Sequence, residues 1–101
     1  MPVGSTLAAV ELHDFQDLMA RTYGSRDEAR GLPASVAWLV EEVGELAQAV
    51  RKGDDAARLH ELGDVLAWLA SIAGQLRLSL EEAAGRYRDG CPRCGAAPCL
   101  C

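Results

Sequence analysis

Two short stretches, Glu42-Val-Gly-Glu45 and Glu61-Leu-Gly-Asp64, carry paired carboxylates three residues apart inside apolar, helix-favouring sequence. Residues at that spacing share one face of a helix, so each pair can grip one cation or bridge two. The pairs are symmetric about Gly53, the only strong helix breaker between them. Glu42 and Asp64 stand eleven residues either side of it, Glu45 and Glu61 eight, and Trp38 and Trp68 fifteen. A chain folding back at Gly53 as a helical hairpin sets Glu42 level with Asp64, Glu45 with Glu61 and Trp38 with Trp68. Four carboxylates converging beside an apolar seam repel one another unless a cation sits among them. Oxygen-only donors select Mg²⁺ or Mn²⁺ over softer metals. Di-iron bundles use Glu-x-x-His motifs instead. Here His60 directly precedes Glu61 and is expected to point elsewhere, and His13 has no carboxylate three residues before it. A solvated acidic face accounts for either pair alone, but not for two pairs in mirror register with flanking tryptophans.

Helices throughout would position these groups. Ser5 can cap a first helix, with Leu7, Val10, Leu18 and Met19 among its apolar positions, running to about Tyr23-Gly24. A polar connector is expected from Ser25 to Gly31. Pro33 suits the first turn of a second helix that continues to Gly53. Its apolar arc is Leu39, Val40, Val43, Leu46, Ala47 and Val50, edged by Trp38, Glu42, Glu45, Ala49 and Lys52. Asp54 or Asp55 can cap a third helix to about Leu78, with an arc of Leu62, Val65, Leu66, Leu69, Ile72, Ala73 and Leu76. Glu61, Asp64, Trp68 and Gln75 edge that arc. Ser79 and Glu82 have capping-box spacing and open a short fourth helix ending near Gly90. Gly44 and Gly63, one inside each carboxylate pair, cost about 1 kcal/mol each in a helix interior. They suggest close backbone approach or room for metal-bound water, unless the helices merely tolerate them. No strand-like alternation of useful length is present, so the expected fold is an all-α antiparallel hairpin or bundle.

Bulk composition narrows the function. At 101 residues, half of them hydrophobic and a quarter charged, the chain suits one small domain, and disorder across its body is not expected. A formal charge of -5 argues against a non-specific nucleic-acid or anionic-membrane surface. It does not exclude an anionic substrate, because a bound divalent ion reverses the local sign. Residues Met1 to Val10 lack a basic n-region and a long apolar core, and no apolar run approaches the roughly 18 residues of a membrane span. The reading is a soluble, cytoplasmic protein.

The run Trp38-Leu39-Val40-Glu41-Glu42-Val43-Gly44-Glu45-Leu46, followed by Glu61-Leu62-Gly63-Asp64, resembles the E-E-x-x-E…E-x-x-D signature of the MazG-type all-α nucleotide pyrophosphohydrolases. Upstream, Tyr23, Arg26-Asp27 and Arg30-Gly31 also resemble short members of that family, as does the Cys-rich ending. The resemblance implies Mg²⁺- or Mn²⁺-dependent hydrolysis of a nucleoside triphosphate between its α and β phosphates, in nucleotide-pool house-cleaning. By position, Glu42, Glu45, Glu61 and Asp64 would bind the ion, and Glu42 is also a catalytic candidate. Glu41 matches the first acidic residue of the signature, and would hold a further ion or orient water. Arg86 falls where related proteins often carry a phosphate-binding base. Lys52, the only lysine, and Arg26, Arg30 and Arg51 are further phosphate candidates, and a solvated surface charge is the simpler reading of any single one. Trp68, one turn past Asp64, can stack on a base or pack in the core, and Trp38 has the same two options. A homodimer or higher homo-oligomer is implied, since three principal helices leave apolar surface for a second copy to cover. A phosphoribosyl-ATP pyrophosphohydrolase-like enzyme is the nearest enzymatic alternative. A non-enzymatic helical adaptor is the alternative from another class.

Residues 1–90 thus read as the helical domain and residues 91–101 as a separate tail. The tail spaces Cys91, Cys94, Cys99 and Cys101 as C-x2-C-x4-C-x-C, with Pro92 and Gly95 favouring a tight knuckle. Structural Zn²⁺, free thiols, and disulfides or redox switching all remain open from spacing alone. A catalytic role for these thiols is not expected.

Overall fold

In the computed structural model, which describes residues 9–101, the first helix, α1 (Leu12–Arg30), runs unbroken through the stretch expected to be a connector. Ser5 and Leu7 lie outside the described residues, and Glu11 is the N-cap. The polar run continues as helix because its side chains find partners on it and beside it. Asp27 is buried and accepts a 2.7 Å hydrogen bond from Arg30 Nη1. The Arg30 guanidinium in turn lies 4.8 Å from the centre of the Trp68 ring. The chain turns only at Gly31, whose φ of 89° suits glycine and lets α2 (Leu32–Lys52) start at the next residue, with Pro33 in its first turn.

The reversal at Gly53 occurs as the spacing predicts. Its φ of -92° is ordinary, so the need for glycine is steric: a Cβ there would stand 2.8 Å from the carbonyl oxygen of Ala49 and 3.2 Å from Ala57 Cβ. Asp54 caps α3 (Asp55–Leu76) by accepting from Ala57 N at 2.9 Å. Arg58 then reaches back to the end of α2, donating from Nε to Ala49 O at 3.1 Å and from Nη2 to Val50 O at 3.0 Å. Ala49 O also accepts from Gly53 N at 2.8 Å, whereas Val50 O lies in the last turn, where a helix leaves carbonyls without intrahelical partners; a cation suits that end of the dipole.

Helix α3 stops at Leu76, two residues before the expected limit, because Arg77 adopts a left-handed conformation (φ 59°) and Leu78 N bonds to Ala73 O. Ser79 Oγ accepts from Glu82 N at 3.1 Å and starts α4 (Leu80–Gly85). This helix ends well before Gly90: from Arg86 onward the backbone closes i to i−3 turns on Ala83, Ala84 and Gly85. The α3–α4 link is clamped from α1 by Gln16, which donates to Leu78 O and accepts from Leu80 N, both at 2.8 Å.

The hairpin of α2 and α3 is the main packing unit; α1 lies chiefly against α3, and α4 against α1. Small residues make up most of what is buried. Ala49, Ala70, Ala73, Ser35 and Ser71 are buried, and Gln75 Nε2 donates to Ser35 Oγ at 2.8 Å. The apolar arc of α2 does not form this core. Val40, Val43 and Val50 are 65%, 47% and 57% exposed, and Leu62, Leu66 and Leu69 of α3 are likewise exposed. The covered side chains are thus mostly alanines and serines, while the larger apolar ones stay at least partly exposed. No strand is present among the described residues, and none of their helices is long and apolar enough to cross a membrane.

Candidate active site

At 3.6 residues per turn, Glu42, Glu45 and Ala49 fall on roughly the opposite side of α2 from Val40, Val43 and Val50. The carboxylates therefore line the seam between α2 and α3, while the valines face outward. Oxygens of Glu42, Glu45 and Glu61 lie within 4.8 Å of one another. Asp64 is close enough to Glu42 to disfavour its ionised form, so both helices contribute to one acidic row. Glu42 Oε2 and Glu61 Oε1 are buried without a hydrogen-bond partner. A buried carboxylate oxygen with no protein donor is costly, and a cation removes that cost. Desolvation, then the negative charges of Glu45, Asp64 and Glu61, push the Glu42 carboxyl up to about 7.

His60 does not point away from this row. Its Nε2 lies 3.3 Å from Asp64 Oδ2, one turn along α3, and with Glu61 and Asp64 it forms a second set of donors within 4.8 Å. The i, i+4 spacing to Asp64 was the available signal; looking only for Glu-x-x-His missed it. Gly44 and Gly63 have nothing within 4 Å of an added Cβ, so neither marks a close backbone approach.

The row opens onto clefts at both ends. Beside Asp64, a cleft of about 280 Å³ is lined by Tyr23, Arg26, Arg30, Ala67, Trp68 and Ser71. Beside Glu45 and Glu61, a more open hollow is lined by Lys52, Gln48, Ala49, Gly53 and Ala57. Trp38 and Trp68 stack with ring centres 5.9 Å apart and planes 7° from parallel. Of the other residues expected at the site, Glu41 is exposed and outside both donor sets. Arg86, on the turn after α4, lies over the Tyr87 ring and is not among the residues lining either cleft. Of the arginines offered as phosphate candidates, Arg26 and Arg30 line the cleft beside Asp64, and Arg51 lines neither cleft.

At the other end of the chain, the four cysteine Sγ atoms also lie within 4.8 Å of one another. Backbone donors, chiefly Leu100 N and then Ala96 N, lower the Cys94 thiol to about 6.

No curated protein matches the chain significantly. The family profile of the MazG nucleotide pyrophosphohydrolase domain matches residues 31–89, which is more than half of the chain. That span contains the whole hairpin, both carboxylate pairs and the stacked tryptophans, and it ends just before the cysteine tail. This chain belongs to the MazG nucleotide pyrophosphohydrolase domain family.

Proposed function

We propose that the protein hydrolyses nucleoside triphosphates, ribo- or deoxyribo-, to the monophosphate and pyrophosphate in a divalent-ion-dependent reaction that serves nucleotide-pool house-cleaning. The observation that supports this most directly is the pair of buried, unpartnered oxygens on Glu42 and Glu61, residues of the two hairpin helices that form an all-oxygen set with Glu45. Such a donor set fits Mg²⁺ or Mn²⁺. Glu42, Glu45, Glu61 and Asp64 are the residues that would hold the ion. When bound, it supplies charge neutralisation at the phosphate oxygens and acidifies nearby water.

The remaining roles fall to the chain's own groups. Glu42, beside the ion, is positioned to take a proton from the attacking water; its raised value of about 7 is a property of the ion-free row, and a bound cation lowers it. Glu41, on the solvent edge of α2, orients that water or holds a further ion. The cleft beside Asp64 offers the Trp68 and Tyr23 rings to the base, with Trp38 backing Trp68, and Arg26 and Arg30 to the phosphates. Lys52 flanks the opposite end, beside Glu45 and Glu61, and suits the departing pyrophosphate. At about 280 Å³ the cleft is at or below the small end for a ligand pocket, so one chain encloses only part of a nucleotide. A second copy, docked on the outward valine and leucine stripes of α2 and α3, would cover that apolar surface and add walls to the cleft.

The test is a panel of ribo- and deoxyribonucleoside triphosphates, with phosphoribosyl-ATP included, assayed for pyrophosphate with Mg²⁺, Mn²⁺ or chelator. Pyrophosphate release that needs the ion is expected. Orthophosphate as the only product, or no turnover of any nucleotide, rejects the proposal.

A further inference from the structure

The last eleven residues have no means of holding a fold by burial. Cys91 and Ala96 are partly covered, the other residues from 92 to 101 are exposed, and Leu100, the largest apolar side chain there, is 82% exposed. Ordering a backbone costs about 1–2 kcal/mol per residue, and nothing apolar in this segment offsets it. Yet the segment is tightly wound. Cys91 N donates to Ala96 O at 3.0 Å, and Gly95 N donates to Cys91 O at 2.6 Å. Two positive-φ glycines make these turns, Gly90 at 100° and Gly95 at 72°. At Gly90 the close return of Ala96 leaves no room for a side chain, its carbonyl oxygen lying 2.6 Å from where a Cβ would stand.

This winding brings the thiols of Cys91, Cys94, Cys99 and Cys101 to one point. Their Sγ atoms all lie within 4.8 Å of one another, with Cys91–Cys101 at 3.7 Å and Cys99–Cys101 at 3.5 Å. Four sulfurs bound to one zinc at about 2.3 Å form a tetrahedron with edges of about 3.8 Å, which these separations approach. The backbone also donates to sulfur. Arg93 N lies 3.4 Å from Cys91 Sγ, and Leu100 N lies 3.3 Å from Cys94 Sγ. Donors aimed at sulfur are what a tetrathiolate centre with net negative charge needs around it.

We propose that Cys91, Cys94, Cys99 and Cys101 bind one Zn²⁺ tetrahedrally and that this ion is what folds the tail. The site is chemically separate from the acidic row, since soft thiolates select zinc whereas carboxylates select hard ions. The protein is then a two-metal chain, with a structural centre beyond the end of its catalytic domain.

The full-length protein, purified under reducing conditions, tests this by elemental analysis and by Co²⁺ replacement, read through the thiolate-to-cobalt charge-transfer absorption. About one zinc per chain is expected. Cys94→Ser with Cys99→Ser should bring zinc to background and abolish the cobalt absorption, with helix content by circular dichroism unchanged. Three results overturn the proposal. One is reduced protein with four reactive thiols that added zinc does not protect. Another is a native tail whose mass shows oxidised cysteine pairs. The third is zinc retained by the double variant, which would assign the ion to His60, Glu61 and Asp64 instead.

Discussion

The Trp38 and Trp68 rings stack at 5.9 Å and 7° from parallel, although thirty residues separate them in the chain. Each lies one turn beyond a carboxylate, Glu42 on α2 and Asp64 on α3, so their contact reports the register that brings those two acids level. An offset-stacked pair contributes about 0.5–1.5 kcal/mol beyond its buried area. A double-mutant cycle with Trp38→Ala and Trp68→Ala, measured by denaturant unfolding, should give a coupling of about 1 kcal/mol. A coupling indistinguishable from zero would show that the stack does not hold the register.

Gly53 and the two glycines of the carboxylate pairs should respond oppositely to alanine. At Gly53 the new methyl meets the Ala49 backbone at 2.8 Å, and overpacking of this kind costs about 1–3 kcal/mol. At Gly44 and Gly63 the space is open, so alanine should stabilise the chain by up to about 1 kcal/mol through helix propensity. Thermal unfolding of the three variants in the absence of divalent ions checks both signs at once. Stabilisation by Gly53→Ala would remove the steric account of the turn.

The hairpin was legible because its signals are local: a lone glycine, an Asp54 cap and acidic pairs at helical spacing. The extent of α1 was not. Ser25 to Arg30 looks like a loop by composition, and what keeps it helical is the bond from Arg30 to Asp27 and the contact with Trp68, a residue on another helix. The outward direction of Val40, Val43 and Val50 was hidden for a related reason. Periodicity shows that an apolar stripe exists, but which positions are buried depends on the neighbouring helices, and here the buried apolar positions are Ala49, Ala70 and Ala73. Arg58 and Gln16, which close the two links of the bundle, carry no motif at all; their partners are backbone carbonyls and amides that only the fold brings near.

The Glu42 carboxyl gives a pH dependence with a definite sign. Its folded value, about 7, stands above the ordinary 4.5, so the folded chain holds this proton more tightly than the unfolded chain. The associated stabilisation is complete below about 4.5 and is lost as pH rises through about 7. Without divalent ions, the protein should therefore lose stability between about pH 4.5 and pH 7, and Glu42→Gln should flatten that slope. Desolvation sets the effect first, followed by the charges of Glu45 on its own helix and of Asp64 and Glu61 across the hairpin. A variant that keeps the full slope would assign it to other groups.

Substitutions along the acidic row should separate ion binding from turnover. Glu45→Gln and Asp64→Asn each remove a charge from the proposed donor set and leave shape nearly unchanged. Each should lower pyrophosphate release by at least about a hundredfold, the scale of losing one electrostatic contact to a transition state. Each should also shrink the rise in melting temperature that Mg²⁺ gives the parent protein, because a ligand stabilises in proportion to its affinity for the folded chain. Glu41→Gln behaves differently if Glu41 orients water, since this residue is exposed and outside both donor sets. Turnover should fall while the Mg²⁺-induced thermal shift persists. Loss of the shift in Glu41→Gln would instead make Glu41 part of the ion site, and near-normal turnover in Glu45→Gln or Asp64→Asn would remove that residue from the mechanism.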